Sequence, residues 1–233
     1  MTDVDVPFTF RDRALYLPTA RALVVADLHL GRAAASNVDA PVDDAGDVIA
    51  RLEGVLEVFS PETVVVAGDL LHSFSRVPRG VEEAVGALLA TVEGADATLV
   101  VTPGNHDGTL EAVYDGRAVE EYRLEDGTVV LHGHEPPEAT GRRYVIGHDH
   151  PALSVDGRKR PCLLYGPGTY EGSDVVVLPA FTRLAPGSTV NRKRGEDFLT
   201  PLVDDPDAFY PALRDECGRT LWFPPLGECR RLL

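Results

Sequence analysis

The stretch "ETVVVAGDLLH", residues 62–72, runs through four β-branched residues and then breaks into Gly68-Asp69 and, three residues later, His72. A short, continuous apolar run of this kind reads as a strand buried on both faces, as in a parallel sheet. The polar residues that follow it then fall at the carboxyl end of the strand, where open α/β sheets bind their ligands. The same pattern stands on either side, in "ARALVVADLHLG" (20–31) and in "ATLVVTPGNHD" (97–107). Between the first two, Val48, Leu52, Val55, Leu56 and Phe59 recur at helical spacing, with Asp43 or Asp44 as the N-cap. Residues 81 to 93 supply a second helix. Strand, helix, strand, helix, strand implies a largely parallel sheet with helices on its faces.

From about residue 119 the helices stop. "VEEYRLEDGTVVLHGH" (119–134) reads as a hairpin turning at Asp126-Gly127, and "RRYVIGH", "PCLLYG" and "DVVVLPA" read as further strands. A second, mostly antiparallel sheet packed on the first would bury these apolar faces. "FTFRDRALYLP" (8–18) adds short strands at the start. Beyond about residue 186, Pro201, Pro206, Pro211, Pro224 and Pro225 make the chain loop-rich, and no element is assigned there. The expectation is one domain over 1–233, with a core at about 15–185 and a C-terminal extension at about 186–233.

Composition narrows the class. The 233 residues are 44% hydrophobic, enough for a core, and no apolar run approaches the ~20 residues of a membrane span. The N-terminus "MTDVDVPFTF" lacks the pattern of a signal peptide, so a cytoplasmic location is expected. Cys162, Cys217 and Cys229 are too few and too far apart for a disulfide framework or a closed zinc site. The net charge of −15, with two lysines in the whole chain, suggests a halophilic cytoplasm and argues against binding nucleic acid by overall charge.

All seven histidines lie at strand ends, in Asp27-x-His29, Gly68-Asp69-x-x-His72, Gly104-Asn105-His106-Asp107, His132-x-His134 and Gly147-His148-x-His150. In extended chain, side chains two residues apart point the same way, so Asp27 with His29, and His148 with His150, can converge on one point. Imidazole with carboxylate suits borderline divalent metals such as Mn, Fe, Co, Ni or Zn. Seven such ligands exceed the needs of one ion and point to two ions sharing a carboxylate.

In this order the five motifs resemble the calcineurin-like metallophosphoesterase superfamily. "ADLHLGR" and "GDLLH" look closest to its archaeal SbcD-related members and to bacterial phosphoesterases associated with a DNA ligase. The resemblance implies a four-layer α/β/β/α sandwich, two mixed β-sheets flanked by helices. It implies one metal on Asp27, His29 and His150, a second on Asn105, His132 and His148, and Asp69 bridging them. His106 would be the catalytic histidine oriented by Asp107, and His72 would help place the substrate phosphate. His132 aligns better with the family ligand than His134, which faces the same side. Two divalent ions are expected, manganese first, with Fe, Ni, Co or Zn as alternatives, and a hydroxide bridging them would attack the phosphorus in line.

Substrate is less legible. Arg32 is positioned to grip a phosphate, and both lysines sit in the basic runs Arg158-Lys159-Arg160 and Arg192-Lys193-Arg194, either phosphate tracks or partners of the many carboxylates. A phosphodiesterase or nuclease acting on DNA or RNA ends, with DNA-repair proteins as partners, is the first reading. A phosphodiesterase or phosphatase for a small molecule such as a cyclic nucleotide is the second. The third is an interaction scaffold on the same fold.

Overall fold

The computed structural model describes residues 4–32, 44–73, 75–215 and 217–230. The first half builds a six-stranded sheet from β1 (Thr9–Arg11), β2 (Ala14–Leu17), β3 (Ala22–Val25), β4 (Thr63–Ala67), β5 (Thr98–Thr102) and β6 (Arg117–Ala118), in that spatial order. The chain crosses from β3 to β4 through α1 (Asp44–Phe59) and from β4 to β5 through α2 (Val81–Gly94). From β3 to β6 the pairing is parallel, and β1 to β3 form an antiparallel meander. Of the two N-caps expected for α1, Asp43 lies outside the described residues and Asp44 is the first residue of the helix.

The second half supplies β7 (Glu121–Arg123), β8 (Thr128–Leu131), β9 (Arg143–Ile146), β10 (Pro151–Val155), β11 (Arg158–Pro161), β12 (Leu163–Tyr170), β13 (Ser173–Val177), β14 (Ser188–Thr189), β15 (Tyr210–Arg214) and β16 (Thr220–Trp222). Seven of these form a mixed sheet in the order β16-β15-β12-β13-β9-β8-β7, and β11-β10-β14 form a small third sheet. The hairpin at Asp126-Gly127 is present: Gly127 has φ +80°, and the Asp126 carboxylate accepts the Thr128 N–H at 2.9 Å.

Strand alternation sorts the valines between two cores. Val64 and Val66 face α1 and α2 and meet Leu52, Val55, Val85 and Leu88. Val65, with Leu15, Leu17 and Val24, faces the second sheet and meets Val130, Val145, Leu163 and Val176. The outer face of the second sheet, with Val129, Ile146, Val175, Val177 and Leu213, is covered by Phe198, Leu202, Phe209 and Leu226. The layered α/β architecture is therefore the expected one, with few helices in its fourth layer. That layer holds 3-10 turns at Gly195–Asp197 and Pro206–Ala208 and the four-residue α3 (Leu226–Cys229). Closely spaced prolines, which cannot donate an amide to a helix interior, keep its turns short.

The segment read as a loop-rich extension supplies part of the second sheet itself. β15 pairs with β12 through Leu163↔Ala212 and Tyr165↔Tyr210, and β16 pairs with β15. Phe209, fully buried, anchors the preceding turn against this sheet. Phe209→Ala is expected to lower the unfolding free energy by about 3–5 kcal/mol, read from a urea titration. A change below about 1 kcal/mol would show that the segment is an appendage. Among the described residues no helix is long and apolar enough to cross a membrane.

Candidate metal centre

The loops beyond β3 and β4 are joined to each other by backbone hydrogen bonds. Asp27 N–H donates to the Gly68 carbonyl at 3.0 Å, His29 N–H to Asp69 at 2.9 Å and Leu30 N–H to Leu70 at 2.9 Å. Five side chains project from left-handed backbone here: Asp27 (φ 55°), His29 (49°), Asp69 (49°), His148 (67°) and His150 (44°). The alternation of extended chain, which the sequence suggests as the cause of convergence within Asp27-x-His29 and His148-x-His150, is not what operates. The side chains converge instead through consecutive turns at the strand ends. Each non-glycine residue held in this region costs on the order of 1–3 kcal/mol, strain that surrounding structure must over-determine and that clusters at functional sites.

The sequence-predicted residues fall into two adjoining groups that share Asp69. In the first, single ligand atoms of Asp27, His29, Asp69 and His150 all lie within 4.8 Å of one another, a set that could hold a metal ion. Here His150 Nε2 is 3.2 Å from Asp27 Oδ1, and His29 Nε2 is 3.4 Å from His150 Nε2 and 3.9 Å from Asp69 Oδ2. In the second, His132 Nε2 is 3.0 Å from Asn105 Oδ1, 3.0 Å from His148 Nδ1 and 3.6 Å from Asp69 Oδ1. Asp69 thus turns one oxygen to each group. The His134 ring lies beside His132, its centroid 5.1 Å away, and 6.1 Å from that of His148.

His72 and His106 stack in parallel, their centroids 5.0 Å apart, and both meet the edge or face of His29 at about a right angle. With His29 they make a further group of convergent nitrogens within 4.8 Å. Arg32 sits one turn beyond His29, its N–H on the His29 carbonyl at 3.1 Å. The family resemblance implies that Asp107 orients the His106 ring, but its carboxylate has other partners. It accepts the backbone N–H groups of Gly104 (2.8 Å), Leu71 (2.7 Å) and Leu70 (3.2 Å). Asp107 therefore ties the loop carrying Asn105 and His106 to the loop carrying Asp69, acting through backbone.

Burial dominates the electrostatics. It takes His29 down to about 3 and His132 down to about 4. Burial first, and then His72 and Arg32, takes His106 to about 4. His72 is lowered by burial and then by the charge of Arg32. Asp69 is pushed up to about 8 by burial first and by the nearby Asp27 charge second. Asp27 is buried too, but His150 above all, then His132 and His29, hold its carboxyl below the usual range. His150 is raised despite its burial, by Asp27.

This arrangement fits bound cations. Ring nitrogens face one another at 3.0 and 3.4 Å, closer than two lone pairs tolerate without a shared proton or ion, and His29 Nδ1 is buried with no hydrogen-bond partner. Imidazoles beside two buried carboxylates form the donor set that borderline divalent metals select.

Two residues escape a reading of the sequence for function. A Cβ on Gly68, whose φ is +76°, would lie 1.9 Å from His132 Nδ1. A Cβ on Gly147 would lie 2.6 Å from Asp27 Oδ2 and 2.7 Å from the Ala67 carbonyl. A signal is present, since each glycine immediately precedes a polar residue of a motif, but only the close approach of another loop explains it. Of the basic runs, the second is drawn into structure: Lys193 pairs with the buried Asp149 at 3.3 Å and lies over the Phe198 ring. Lys159 Nζ donates to the Gly187 carbonyl.

Residues 20–124, just under half of the chain, match the family model for calcineurin-like phosphoesterases. That span includes Asp27, His29, Asp69, His72, Asn105, His106 and Asp107, and it ends before His132, His148 and His150. No curated protein sequence matches this chain. Among solved structures, the E. coli phosphoesterase Yfce is 12% identical, over 88% of this chain and 98% of that one, with a TM-score of 0.45. The Pseudomonas putida nuclease MPE is 24% identical over 91% of this chain and 92% of that one, with a TM-score of 0.64, so the two share a fold.

Proposed function

We propose that this chain is a calcineurin-like phosphoesterase, a metal-dependent hydrolase of phosphodiesters with two divalent cations. The carrying observation is the position of Asp69, one carboxylate oxygen toward His29 and the other toward His132, between two sets of convergent donors. The family match over residues 20–124 supports the same reading. Asp27, His29 and His150 would hold one cation and Asn105, His132 and His148 the other, with Asp69 shared. Bound there, two divalent cations supply Lewis-acid polarisation of the phosphoryl oxygens and an acidified water.

The remaining roles belong to the protein. Arg32 offers a guanidinium fork to the non-reacting phosphate oxygens. His72 and His106, stacked beside His29, present ring nitrogens to the same phosphate. His106 passes a proton to the departing oxygen, and the negative charge of the incoming phosphate favours its protonated form. Asp107 keeps the two loops in register, and Asn105, being neutral, limits the negative charge of the ligand set. Manganese stands first among the candidate metals, with iron, nickel, cobalt and zinc accepting the same donors. The free thiols of Cys162, Cys217 and Cys229 fit a reducing cytoplasm, and the acidic, lysine-poor composition fits a salt-rich one.

Manganese-loaded protein is expected to hydrolyse bis-p-nitrophenyl phosphate in preference to p-nitrophenyl phosphate, and to cleave labelled single- or double-stranded DNA. Diester turnover without DNA cleavage would move the assignment to a small-molecule phosphodiesterase. Inactivity on every substrate would leave a scaffold. His106→Ala is expected to lower kcat by about 10²–10⁴-fold, the usual worth of a positioned acid or base, with metal content by elemental analysis unchanged. Parental turnover in that variant would remove His106 from the mechanism.

A further inference from the structure

Away from the histidines, a cleft of about 540 Å³ is lined by Arg13, Arg51, Arg160, Arg183 and Arg214, with Asp12 and Asp47 among its walls. Five arginines around one cleft run against a composition of 37 acidic and 22 basic residues. Asp47 serves two of them, Arg51 and Arg183, the latter at 2.9 Å. Arg13 is held down to about 10 by burial and then by the charges of Arg51 and Arg183. Arg214 bonds Thr220 Oγ1 at 3.1 Å, yet its Nε is buried with no partner. The Arg183 side chain is 68% exposed.

An adjoining cavity of about 600 Å³ shares Arg160 and Arg214 and adds Arg158, with Leu213, Leu221 and Phe223 on its walls. The two together form a trough with an apolar side, in which six arginines outnumber four aspartates, Asp12, Asp47, Asp156 and Asp215. This trough is tied to the metal centre. Arg13 Nη1 donates to the carbonyls of Ala180 and Thr182, while Phe181 N–H donates to Ala26 at 2.7 Å and Thr182 N–H to Asp27 at 3.5 Å. One short segment, 180–183, therefore borders both. The tight β1–β2 turn sets φ at 48° for Asp12 and 69° for Arg13. Glycine is the favoured residue for such a turn, so a long cation is held there against backbone preference.

We propose that the arginine trough binds the phosphate backbone of a nucleic-acid strand whose scissile bond lies at the metal centre. Only the placement of the scissile bond rests on the phosphoesterase reading. Guanidinium groups recognise phosphate bidentately, and an anion among mutually repelling arginines offsets their repulsion. A cationic groove with apolar and aromatic walls suits a strand with unpaired bases. The basic run Arg158-Lys159-Arg160 thereby acts through its arginines on one edge of the trough, with Lys159 turned to the Gly187 carbonyl.

The test is fluorescence anisotropy of a labelled oligothymidylate with the full chain in EDTA, so that no turnover occurs. The double variant Arg160→Glu/Arg183→Glu is expected to bind at least about tenfold more weakly. Its log K against log salt slope should be shallower by about 1.4, since each phosphate contact to a single strand contributes about 0.7. Metal-loaded double variant should turn over bis-p-nitrophenyl phosphate within about twofold of the parent, which also reports that it is folded. Parental affinity and slope in the variant, or no binding by the parent, overturns the tract. Displacement of the oligonucleotide by an equal concentration of inorganic phosphate also overturns it, assigning the cleft to a small free anion. Arginine-dependent binding with no turnover of any phosphoester overturns the phosphoesterase reading alone and leaves the tract standing.

Discussion

Asp69→Asn is expected to abolish both metal occupancy and turnover, because it removes charge from a side chain that turns one oxygen to each donor group. The substitution preserves shape and hydrogen-bonding size. The His106 N–H that donates to Asp69 Oδ1 at 2.9 Å can still find an amide oxygen, so the loop is kept. What disappears is the negative charge between His29 and His132. Loss of an outer-sphere partner already costs about 10–100-fold in affinity or activity, so a shared ligand is expected to exceed the upper end of that range. Manganese titration followed by calorimetry should show loss of both binding events, with kcat/KM down by more than about 100-fold. Retention of two ions at parental affinity would mean that Asp69 does not bridge.

Gly68→Ala carries the second large effect, although it alters no ligand. The added methyl would sit 1.9 Å from His132 Nδ1 and 2.5 Å from His132 Cβ, and His132 is buried. Either the ring leaves its position beside Asn105 and His148, or the β4 loop that carries Asp69 moves. Both outcomes dismantle the second donor group. The left-handed backbone at Gly68 adds roughly 1–2 kcal/mol of conformational cost for any L side chain. Gly80→Ala separates the two causes, since Gly80 has φ +85° and a methyl there would meet nothing within 4 Å. It should lose about 1 kcal/mol of stability with kcat unchanged, whereas Gly68→Ala should lose more than about 100-fold in turnover. Equal behaviour of the two variants would show that backbone conformation alone decides the outcome.

Much of this is legible in the chain because burial and polarity change abruptly along it. The apolar runs before Asp27, Asp69 and Asn105 become β3, β4 and β5, parallel and adjacent, and the spacing between them becomes α1 and α2. Histidine placement at strand ends carries the site, and the structure gathers Asp27, His29, Asp69, Asn105, His132, His148 and His150 into neighbouring groups. The local path of the backbone is not legible. Left-handed turns at five non-glycine residues follow from hydrogen bonds between loops distant in sequence, which no short window contains. The role of Asp107 is hidden for the same reason, its partners at Leu70 and Leu71 being 36 or 37 residues away. β15 and β16 escape because prolines interrupt every periodic pattern near them, and the register of β15 is set by β12, about fifty residues earlier in the chain, and that of β16 by β15.

The pairing of β15 with β12 bears on how this protein can be shortened. A fragment cut at about residue 185, where the expected core ends, would keep every donor atom of the metal centre and lose the cover over Ile146 and Val177. It would also leave β12 with a bare edge, an invitation to pair with the next molecule. Such a fragment should aggregate on expression, however complete its chemistry looks on paper.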